Sequence, residues 1–273
     1  MPELPEVETI RRTLTSVLIG QEIQGVEVLL EKAVKPSSEQ LIRALVGRKI
    51  VELRRRGKYL LLLLDDDSRV AFHLRMTGRL LFLPKLTPLE KHTTLILNFT
   101  DDHSLRFVDP RKFGTVVLYW PSTPPEGLKK LGPEPLETEK AVVVSSLTTA
   151  AARRKGPVKG LLLDQRVIAG LGNIYTDETL FLAGIRPTRS VREITAAEWE
   201  KIYQSILTVL ELAIEHRGTS RRDYVDGRGE PGNHQCYLQV YDRKKKPCLV
   251  CGSEIQYTRV AGRGTHYCPA CQH

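Results

Sequence analysis

The sequence predicts an α+β protein of several domains: an N-terminal β-sandwich that opens with a helix, a helical domain, and a C-terminal β-hairpin. Three features of the 273 residues predict this order. Short segments rich in leucine and β-branched residues recur through 22–119, proline and glycine crowd 121–136, and helical periodicity follows. Four cysteines then cluster after residue 247. We therefore place the β-sandwich at 2–120, the linker at 121–136, the helical domain at 137–235 and the hairpin at 236–273.

The first helix is predicted from Val7, Ile10 and Leu14, which recur at helical spacing. Glutamates at 6 and 8 occupy its first turn, where acidic side chains complement the helix dipole. This structural role is a sufficient explanation for both of them. Glu3 falls just ahead of the helix.

The strands of the predicted sandwich lie within short segments separated by turn-forming residues. These segments are 22–30, 48–64, 70–83, 93–99, 105–108 and 115–119, with a short helix at 39–45. Close spacing of this kind is typical of a β-sandwich or barrel.

The composition favours a polyanionic partner. Lysine and arginine number 41 against 32 acidic residues, which gives a net charge of +9 and a pI near 9.3. No apolar run reaches transmembrane length, and the glutamate-rich start lacks the pattern of a signal peptide. We therefore expect a cytoplasmic location, and nothing in the sequence suggests more than a monomer.

The residue after Met1 is a proline, and a side chain this small normally permits removal of the methionine. The chain would then begin with a secondary amine, whose lower pKa makes it a better nucleophile at neutral pH than a lysine. Attack on a sugar C1′ would give a permanently cationic iminium, an electron sink for elimination, and Glu3 could move the protons. The alternative is that Pro2 and Pro5 only stiffen the terminus. A retained Met1 would lock the Pro2 nitrogen in an amide.

Three turns of the first domain combine basic residues with glycine, at 54–59, 73–78 and 109–114. From its residues alone, the turn at 54–59 is explained as a solvated loop. Met76 and Phe113 are likewise explained as core residues. An enzyme that extrudes a base must fill the space it leaves, and apolar wedges can do so. Both interpretations remain open from these residues alone.

In the helical domain, Asn173 follows two glycines and is expected to cap a helix that ends near Gly184. A helix start of this kind is suited to binding a phosphate. A simple helix–helix turn explains the two glycines equally well. Thr195 and Glu198 form a capping box for a further helix. Its core positions are Trp199, Ile202, Ile206, Leu210 and Ile214. Helical structure is also expected in part of 151–164, and 218–233 is either a substrate-covering loop or a disordered one.

The spacing of Cys248-x2-Cys251 and Cys268-x2-Cys271 predicts a structural Zn²⁺ site of four thiolates. A closed site leaves no position for substrate, so its role is to fix a hairpin. Cys236 lies outside the pairs. The hairpin carries Arg263 between two glycines, which lets the backbone approach a phosphate.

The segment Pro2-Glu3-Leu4-Pro5-Glu6-Val7-Glu8-Thr9 resembles the N-terminal signature of the formamidopyrimidine-DNA glycosylases, bacterial base-excision enzymes related to endonuclease VIII. Segments around His73–Gly78, Asp109–Gly114, Gly170–Tyr175 and Val260–Cys268 resemble the same family. The resemblance implies a helix–two-turn–helix architecture for the helical domain, a zinc-ribbon hairpin, and duplex DNA crossing a cleft between the domains.

The resemblance also assigns roles to individual residues. It implies that Pro2 is the nucleophile and Glu3 the acid/base, and that Lys58 and Arg263 hold phosphates at the reactive sugar. It implies DNA contacts by His73, His92, Lys159 and Asn173, and a wedge that fills the vacated site, formed by Met76, Arg111 and Phe113. The loop 218–233 corresponds to the family's lesion-covering loop, and we carry over no base contact there.

The expected activity is that of a bifunctional glycosylase and AP lyase acting on oxidised purines in duplex DNA. Two alternatives remain. One is the endonuclease VIII-like activity on oxidised pyrimidines, although Leu4 and the segment 111–113 look more like the purine branch. The other is a non-catalytic zinc-ribbon DNA-binding protein, which would leave Pro2 and Glu3 without a role.

Overall fold

The computed structural model describes residues 1–221 and 223–273. They form two units with separate internal packing. The N-terminal unit comprises Met1–Lys129 and His216–Gln235, and the C-terminal unit comprises Lys130–Glu215 and Cys236–His273. The sequence had placed 216–235 in the helical domain. It joins the N-terminal unit because the backbone N–H of Thr219 donates to Glu6 Oε1 at 2.8 Å and Phe82 N donates to Gly227 O at 3.0 Å.

The N-terminal unit is a β-sandwich that opens with a helix, as the sequence predicts. Its helices are α1 (Leu4–Leu18), α2 (Ser38–Leu45) and the single turn α3 (Glu126–Lys129). Its strands are β1 (Ile23–Val28), β2 (Val34–Lys35), β3 (Ile50–Arg56), β4 (Tyr59–Leu64), β5 (Arg69–His73), β6 (Arg79–Pro84), β7 (Thr93–Phe99), β8 (His103–Val108) and β9 (Thr115–Tyr119). One sheet has the order β1-β7-β8-β6 and the other β2-β9-β5-β4-β3.

Alternation along these strands places one apolar face of each sheet in a shared core. Phe72 from one sheet and Phe107 from the other pack edge to face, with ring centroids 5.8 Å apart. The apolar stripe of α1 joins the same core through Val7, Ile10, Leu14 and Leu18. The start of the chain is therefore fixed against the sandwich.

The C-terminal unit is helical and ends in the two-stranded hairpin. Its elements are α4 (Lys140–Ala152), α5 (Val158–Leu162), α6 (Asn173–Ala183), α7 (Ala196–Glu215), β10 (Gln256–Val260) and β11 (Arg263–Tyr267). The buried stripe of α7 includes all five predicted core residues. The predicted capping box is present, since Glu198 N donates to Thr195 Oγ1 at 3.3 Å and Thr195 N donates to Glu198 Oε2 at 2.8 Å.

Two local predictions, for the linker and for the cap of α6, differ from the structure, while the partly helical character predicted for 151–164 is confirmed. The linker contains one helical turn, α3, because Leu128 N and Lys129 N both donate to Pro125 O. Helical structure in 151–164 is split, since Pro157 lacks an N–H and stands as the N-cap of α5. The N-cap of α6 is Gly172, so Asn173 is the first residue inside that helix.

Candidate functional site

The start of α1 is buried and held by a carboxylate. Pro2 is buried and only 2% of Glu3 is exposed. Glu6 Oε2 accepts from the backbone N–H of Glu3 at 2.8 Å, and its other oxygen accepts from Thr219. Met1 is present, so the Pro2 nitrogen here is an amide that stands in for the secondary amine. The sequence assigned Glu6 only to the helix dipole, although its spacing from Glu3 is that of a capping box.

A second acidic group on α1 organises the adjacent basic strand. Glu8 accepts hydrogen bonds from Arg11 and Arg12, and Arg55 Nε lies 3.4 Å from its carboxylate. Burial disfavours the charged carboxylate, but the hydrogen bonds from Arg11 and Arg12, together with the charges of Arg11 and Arg55, outweigh it and lower the pKa of Glu8. The turn at 54–59 was predicted to be solvated. It is partly buried instead, since the side chains of Arg55 and Lys58 are each less than a tenth exposed.

Lys58 lies in the turn just before β4, and His73 ends the neighbouring strand β5 of the same sheet. Lys58 directly precedes Tyr59, which pairs with His73 across β4 and β5. Burial, and then the charges of Arg75 and Lys58, lower the pKa of His73 to about 3. Because His73 Nδ1 accepts from Arg75 N at 3.1 Å, the neutral ring carries its proton on Nε2. His73 can therefore donate one hydrogen bond but brings no charge.

The predicted wedge residues lie on two exposed turns. Met76 is 36% exposed and Phe113 is 55% exposed, which excludes the interpretation of either as a core residue. The guanidinium of Arg111 lies 4.9 Å from the centroid of the Phe113 ring. The structure thus presents two apolar side chains to solvent at the places where the sequence predicts them.

A buried aspartate ties the two turns together. Asp109 Oδ1 accepts from Thr77 Oγ1 at 2.5 Å and from Arg111 N at 3.2 Å, while Oδ2 accepts from Gly114 N at 2.7 Å. A Cβ at Gly114 would lie 2.4 Å from the ring of Phe107, so this approach requires glycine. Asp109 was not among the residues predicted from the sequence, although a short acid beside such a turn is a usual sign that its side chain braces the turn.

His92 ends the loop between β6 and β7. Its backbone is left-handed, with φ at +72°, and its carbonyl accepts from Asp109 N at 3.0 Å. Buried Arg106 holds the loop through hydrogen bonds to the carbonyls of Pro84, Lys85 and Pro88 at 3.0–3.2 Å. Arg106 is a positioning residue that the sequence analysis missed, because nothing in the strand pattern marks β8 as carrying a buried arginine.

In the C-terminal unit, Asn173 and Lys159 meet at the hairpin. Asn173 Nδ2 and Lys159 Nζ both donate to Gly264 O at 2.9 Å, and Lys159 also donates to Thr265 Oγ1 at 2.8 Å. Lys159 is fully buried and forms an ion pair with Asp177, whereas Arg263 is exposed. In this conformation the ammonium group of Lys159 is therefore not accessible for the expected phosphate contact. Its ammonium is directed at protein oxygens and positions the turn that carries Arg263.

Neighbouring acids on α6 bind two further segments. Asp177 Oδ2 accepts from His266 N at 2.9 Å, and Glu178 accepts from the backbone N–H groups of Gln239, Val240 and Tyr241 at 2.8–3.0 Å. Burial raises the pKa of Glu178 despite these donors. Glu178 thus holds the segment that precedes the hairpin, and Asp177 holds strand β11 of the hairpin itself.

The four predicted cysteines form one cluster. The Sγ atoms of Cys248, Cys251, Cys268 and Cys271 all lie within 4.8 Å of one another, and Cys251 and Cys268 are 3.4 Å apart. Four thiolates around Zn²⁺ at about 2.3 Å would be separated by about 3.8 Å, so this donor set fits the ion. Cys236 is exposed and lies apart in a short 3₁₀ turn.

Models of three protein families match the chain in order. The formamidopyrimidine-DNA glycosylase N-terminal domain matches residues 1–116, the helix–two-turn–helix domain of the same enzymes matches 131–224, and the zinc finger found in these glycosylases and in isoleucyl-tRNA synthetase matches 245–273. This fold and domain order define a zinc-finger DNA glycosylase of base-excision repair.

Relatives extend along the whole chain. A formamidopyrimidine-DNA glycosylase of Pelotomaculum thermopropionicum is 46% identical over 100% of this chain and 99% of its own length, and one of Geobacillus kaustophilus is 45% identical over 100% of both. The Lactococcus lactis enzyme in complex with DNA containing an abasic site superposes with a TM-score of 0.91 at 39% identity, covering 99% of each chain. The chain belongs to the formamidopyrimidine-DNA glycosylase family.

The family establishes the class of activity. The protein is a DNA-formamidopyrimidine glycosylase with the lyase activity typical of the family. The Lactococcus lactis relative has been solved in complex with DNA that contains an abasic site. The cysteine cluster and the matched zinc-finger model indicate a metal site in the hairpin. Among the described residues, no helix is both long and apolar enough to cross a membrane.

Proposed function

We propose that the protein excises oxidised purines, 8-oxoguanine and ring-opened formamidopyrimidines, through a covalent intermediate on Pro2. The observation that carries this proposal is the buried Pro2-Glu3 pair at the start of α1, whose backbone is fixed by Glu6. A reactive group held on a rigid helix start needs little reorganisation when the sugar is bound.

The chemistry follows from a secondary amine beside a carboxylate. The Pro2 nitrogen attacks C1′, the glycosidic bond breaks, and Glu3 assists opening of the sugar ring by proton transfer. The resulting iminium acidifies the 2′ hydrogens. Successive β and δ eliminations then expel the 3′ and 5′ phosphates and leave a one-nucleoside gap.

The roles of the phosphate-binding residues follow from the charges or hydrogen-bond donors that they carry. Lys58 supplies a positive charge, and neutral His73 supplies the Nε2 proton as a hydrogen-bond donor. In the C-terminal unit, the exposed Arg263 grips a phosphate. Asn173 retains a second amide hydrogen after its bond to Gly264. Positioning of these phosphates orients the sugar for attack.

The exposed turns of the N-terminal unit suit the wedge. Met76 and Phe113 are apolar and exposed, and Asp109 joins their turns, so both can enter the stack as one piece. Arg111 lies over the Phe113 ring and would face the orphaned base. His92, on the neighbouring loop, would hold a phosphate beside this wedge.

The metal we propose for the four-cysteine cluster is a single structural Zn²⁺, which would fix the hairpin that carries Arg263. We expect the protein to work in the bacterial cytoplasm, where its DNA substrate is. The oxidised-pyrimidine activity of the endonuclease VIII branch stays as a second candidate, since the Lactococcus lactis relative has a structure with DNA containing an oxidised pyrimidine, at 38% identity.

Borohydride trapping tests the proposal. The purified chain, with removal of Met1 verified by mass spectrometry, is incubated with duplexes that carry 8-oxoguanine opposite cytosine or an oxidised pyrimidine. An adduct at Pro2, formed chiefly on 8-oxoguanine and lost in Pro2→Gly, supports it. Preferential trapping on the pyrimidine lesion would instead support the second candidate.

One control and two further outcomes complete the experiment. Pro2→Gly should still bind a duplex with a stable abasic analogue, because the change leaves the phosphate contacts in place. If neither lesion is trapped although Met1 is absent, the chain acts as a non-catalytic zinc-ribbon DNA-binding protein. Adduct formation at another amine would remove Pro2 from the mechanism.

A further inference from the structure

The hairpin β10–β11 has an aromatic ring against the turn that carries Arg263. Pairing places Tyr257 opposite His266 and Arg259 opposite Gly264, and alternate residues of a strand share a face. A Cβ on Gly264 would lie 2.7 Å from the Tyr257 hydroxyl oxygen. Glycine therefore lets this ring pack directly on the backbone next to Arg263. The ring is 44% exposed although it packs here.

Lys244 lies on this ring. Its Nζ is 5.0 Å from the centroid of Tyr257, within the range of a cation–π contact. Such a contact orients the ammonium group, and the N–H donors that point away from the ring stay available for another partner. The exposed Lys244 is thus orientated by the ring while its donors face solvent.

The backbone around Lys244 is fixed as well. Lys245 N donates to Ile255 O and Ile255 N donates to Lys246 O, each at 2.9 Å. These bonds join the segment 243–246 to the residue that precedes β10. The position of Lys244 is therefore set by the hairpin itself, whereas a lysine in an ordinary surface loop samples many positions.

We infer that Lys244, held on the Tyr257 ring, is a further binding position for a backbone phosphate of duplex DNA, beside the position of Arg263. The inference rests on the proposed phosphate contact of Arg263. Successive phosphates of one strand rise by about 3.4 Å along the duplex, so groups separated by an aromatic ring can reach different phosphates. A point charge with three rotatable donors suits this second phosphate.

The salt dependence of binding tests this position. Binding of a duplex with a tetrahydrofuran abasic analogue is measured from low to moderate salt for the unaltered chain, Lys244→Ala and Lys246→Ala. Each lost phosphate contact lowers the slope of log K against log salt by about 1. Lys244→Ala is expected to show this loss. Lys246→Ala removes the same charge from the same segment and is expected to keep the slope.

Two variants of Tyr257 separate the orienting effect of its ring from the charge of Lys244. Tyr257→Phe keeps the aromatic face and should keep the slope, whereas Tyr257→Leu should lose part of it. The double variant Tyr257→Leu/Lys244→Ala should match Lys244→Ala alone. Metal content of each variant verifies that the hairpin is intact.

Three outcomes would overturn the inference: an unchanged slope for Lys244→Ala, an equal loss for Lys246→Ala, or no effect of Tyr257→Leu. Failure of the proposed function can be distinguished from failure of this inference. If the unaltered chain binds the duplex but forms no trapped adduct, the catalytic proposal fails while the phosphate position is still measured. If Arg263→Ala leaves the slope unchanged, Arg263 makes no phosphate contact, and the inference loses its basis.

Discussion

Lys159 and Asp177 form an ion pair in which Nζ lies 2.7 Å from Oδ1 and neither side chain is exposed to solvent. Each partner also reaches the hairpin: Lys159 through Gly264 O and Thr265 Oγ1, and Asp177 through His266 N. The pair therefore joins α5 and α6 to the strand that follows Arg263. Because the ammonium has no exposed surface, we expect the pair to position this turn.

Breaking this pair should be costly. Lys159→Met leaves the Asp177 carboxylate buried without its counter-charge, and we expect the free energy of unfolding to fall by about 3–5 kcal/mol. Urea unfolding followed by tryptophan fluorescence measures the change. The double variant Lys159→Met/Asp177→Leu removes both charges and should recover part of the loss. A loss below about 1 kcal/mol for the single variant would contradict a buried, charged pair.

The exposed ring of Phe113 should matter for extrusion and not for folding. Phe113→Ala is expected to slow excision of 8-oxoguanine more than cleavage of a preformed abasic site, because only the first requires the stack to be opened. Its stability should change by less than about 0.5 kcal/mol, as is usual at the surface. Phe107→Ala is the contrasting control, since that buried ring should cost about 3–5 kcal/mol. Equal slowing of both reactions would argue against the wedge.

Arg106 should act on DNA through His92. Arg106→Met removes the hydrogen bonds that hold the loop 84–92, so the imidazole loses its position. Binding of the abasic-analogue duplex should weaken about tenfold, equivalent to about 1.5 kcal/mol for one hydrogen bond to a charged group. The double variant with His92→Ala should bind no more weakly than His92→Ala alone. Additive losses would show that Arg106 acts elsewhere.

His73 should make stability depend on pH. Its pKa is about 3 in the folded protein because of burial and of the charges of Arg75 and Lys58, against about 6.5 when unfolded. The unfolded state therefore binds the extra proton below pH 6.5. The stabilising contribution of the neutral ring is complete above that pH and is lost as the pH falls towards 3.

The corresponding measurement is unfolding at several pH values between 4 and 7. The contribution of His73 has a slope of up to about 1.4 kcal/mol per pH unit, and His73→Gln should remove it. If the variant keeps the full slope, the ring is protonated in the folded protein and its contact with a phosphate would carry charge.

Removal of the metal should loosen only the hairpin. Without thiolate coordination, four clustered sulfurs provide little to hold the segment 248–271, so chelation should expose new proteolytic sites there. Cys251→Ser should reproduce this effect. Cys236→Ser is the matched control, because Cys236 lies outside the cluster. An unchanged digest after verified loss of zinc would mean that other contacts, such as those of Glu178, hold the hairpin.

Much of the fold was evident in the sequence because the signals are local. Strand positions follow from alternation, the capping box at Thr195 follows from a three-residue spacing, and the C-cap at Gly184 requires a left-handed backbone, with φ at +72°. The cysteine spacing predicted the cluster for the same reason. Each of these features depends on residues that are close together along the chain.

The sequence did not determine which polar groups meet across long separations. The family resemblance implied a DNA contact by Lys159, whereas its burial against Asp177 and Gly264 depends on packing between α5, α6 and the hairpin. Arg106 was missed for a similar reason, since its partners lie in another loop, and the link from Asp109 to Thr77 likewise joins two separate turns. The grouping of 216–235 with the N-terminal unit depends likewise on the contact of Glu6 with Thr219, 213 residues apart.

The sequence by itself thus determined the family, the order of the domains, and the residue types available for chemistry: a proline at the terminus, an acid beside it, and four thiols. The tertiary structure decided how those residues are used. It exposed Met76 and Phe113, kept His73 neutral, and directed Lys159 inward. The physical reason is that exposure, pKa and hydrogen-bond partners are properties of the packed surroundings of a side chain, which residues distant in sequence supply.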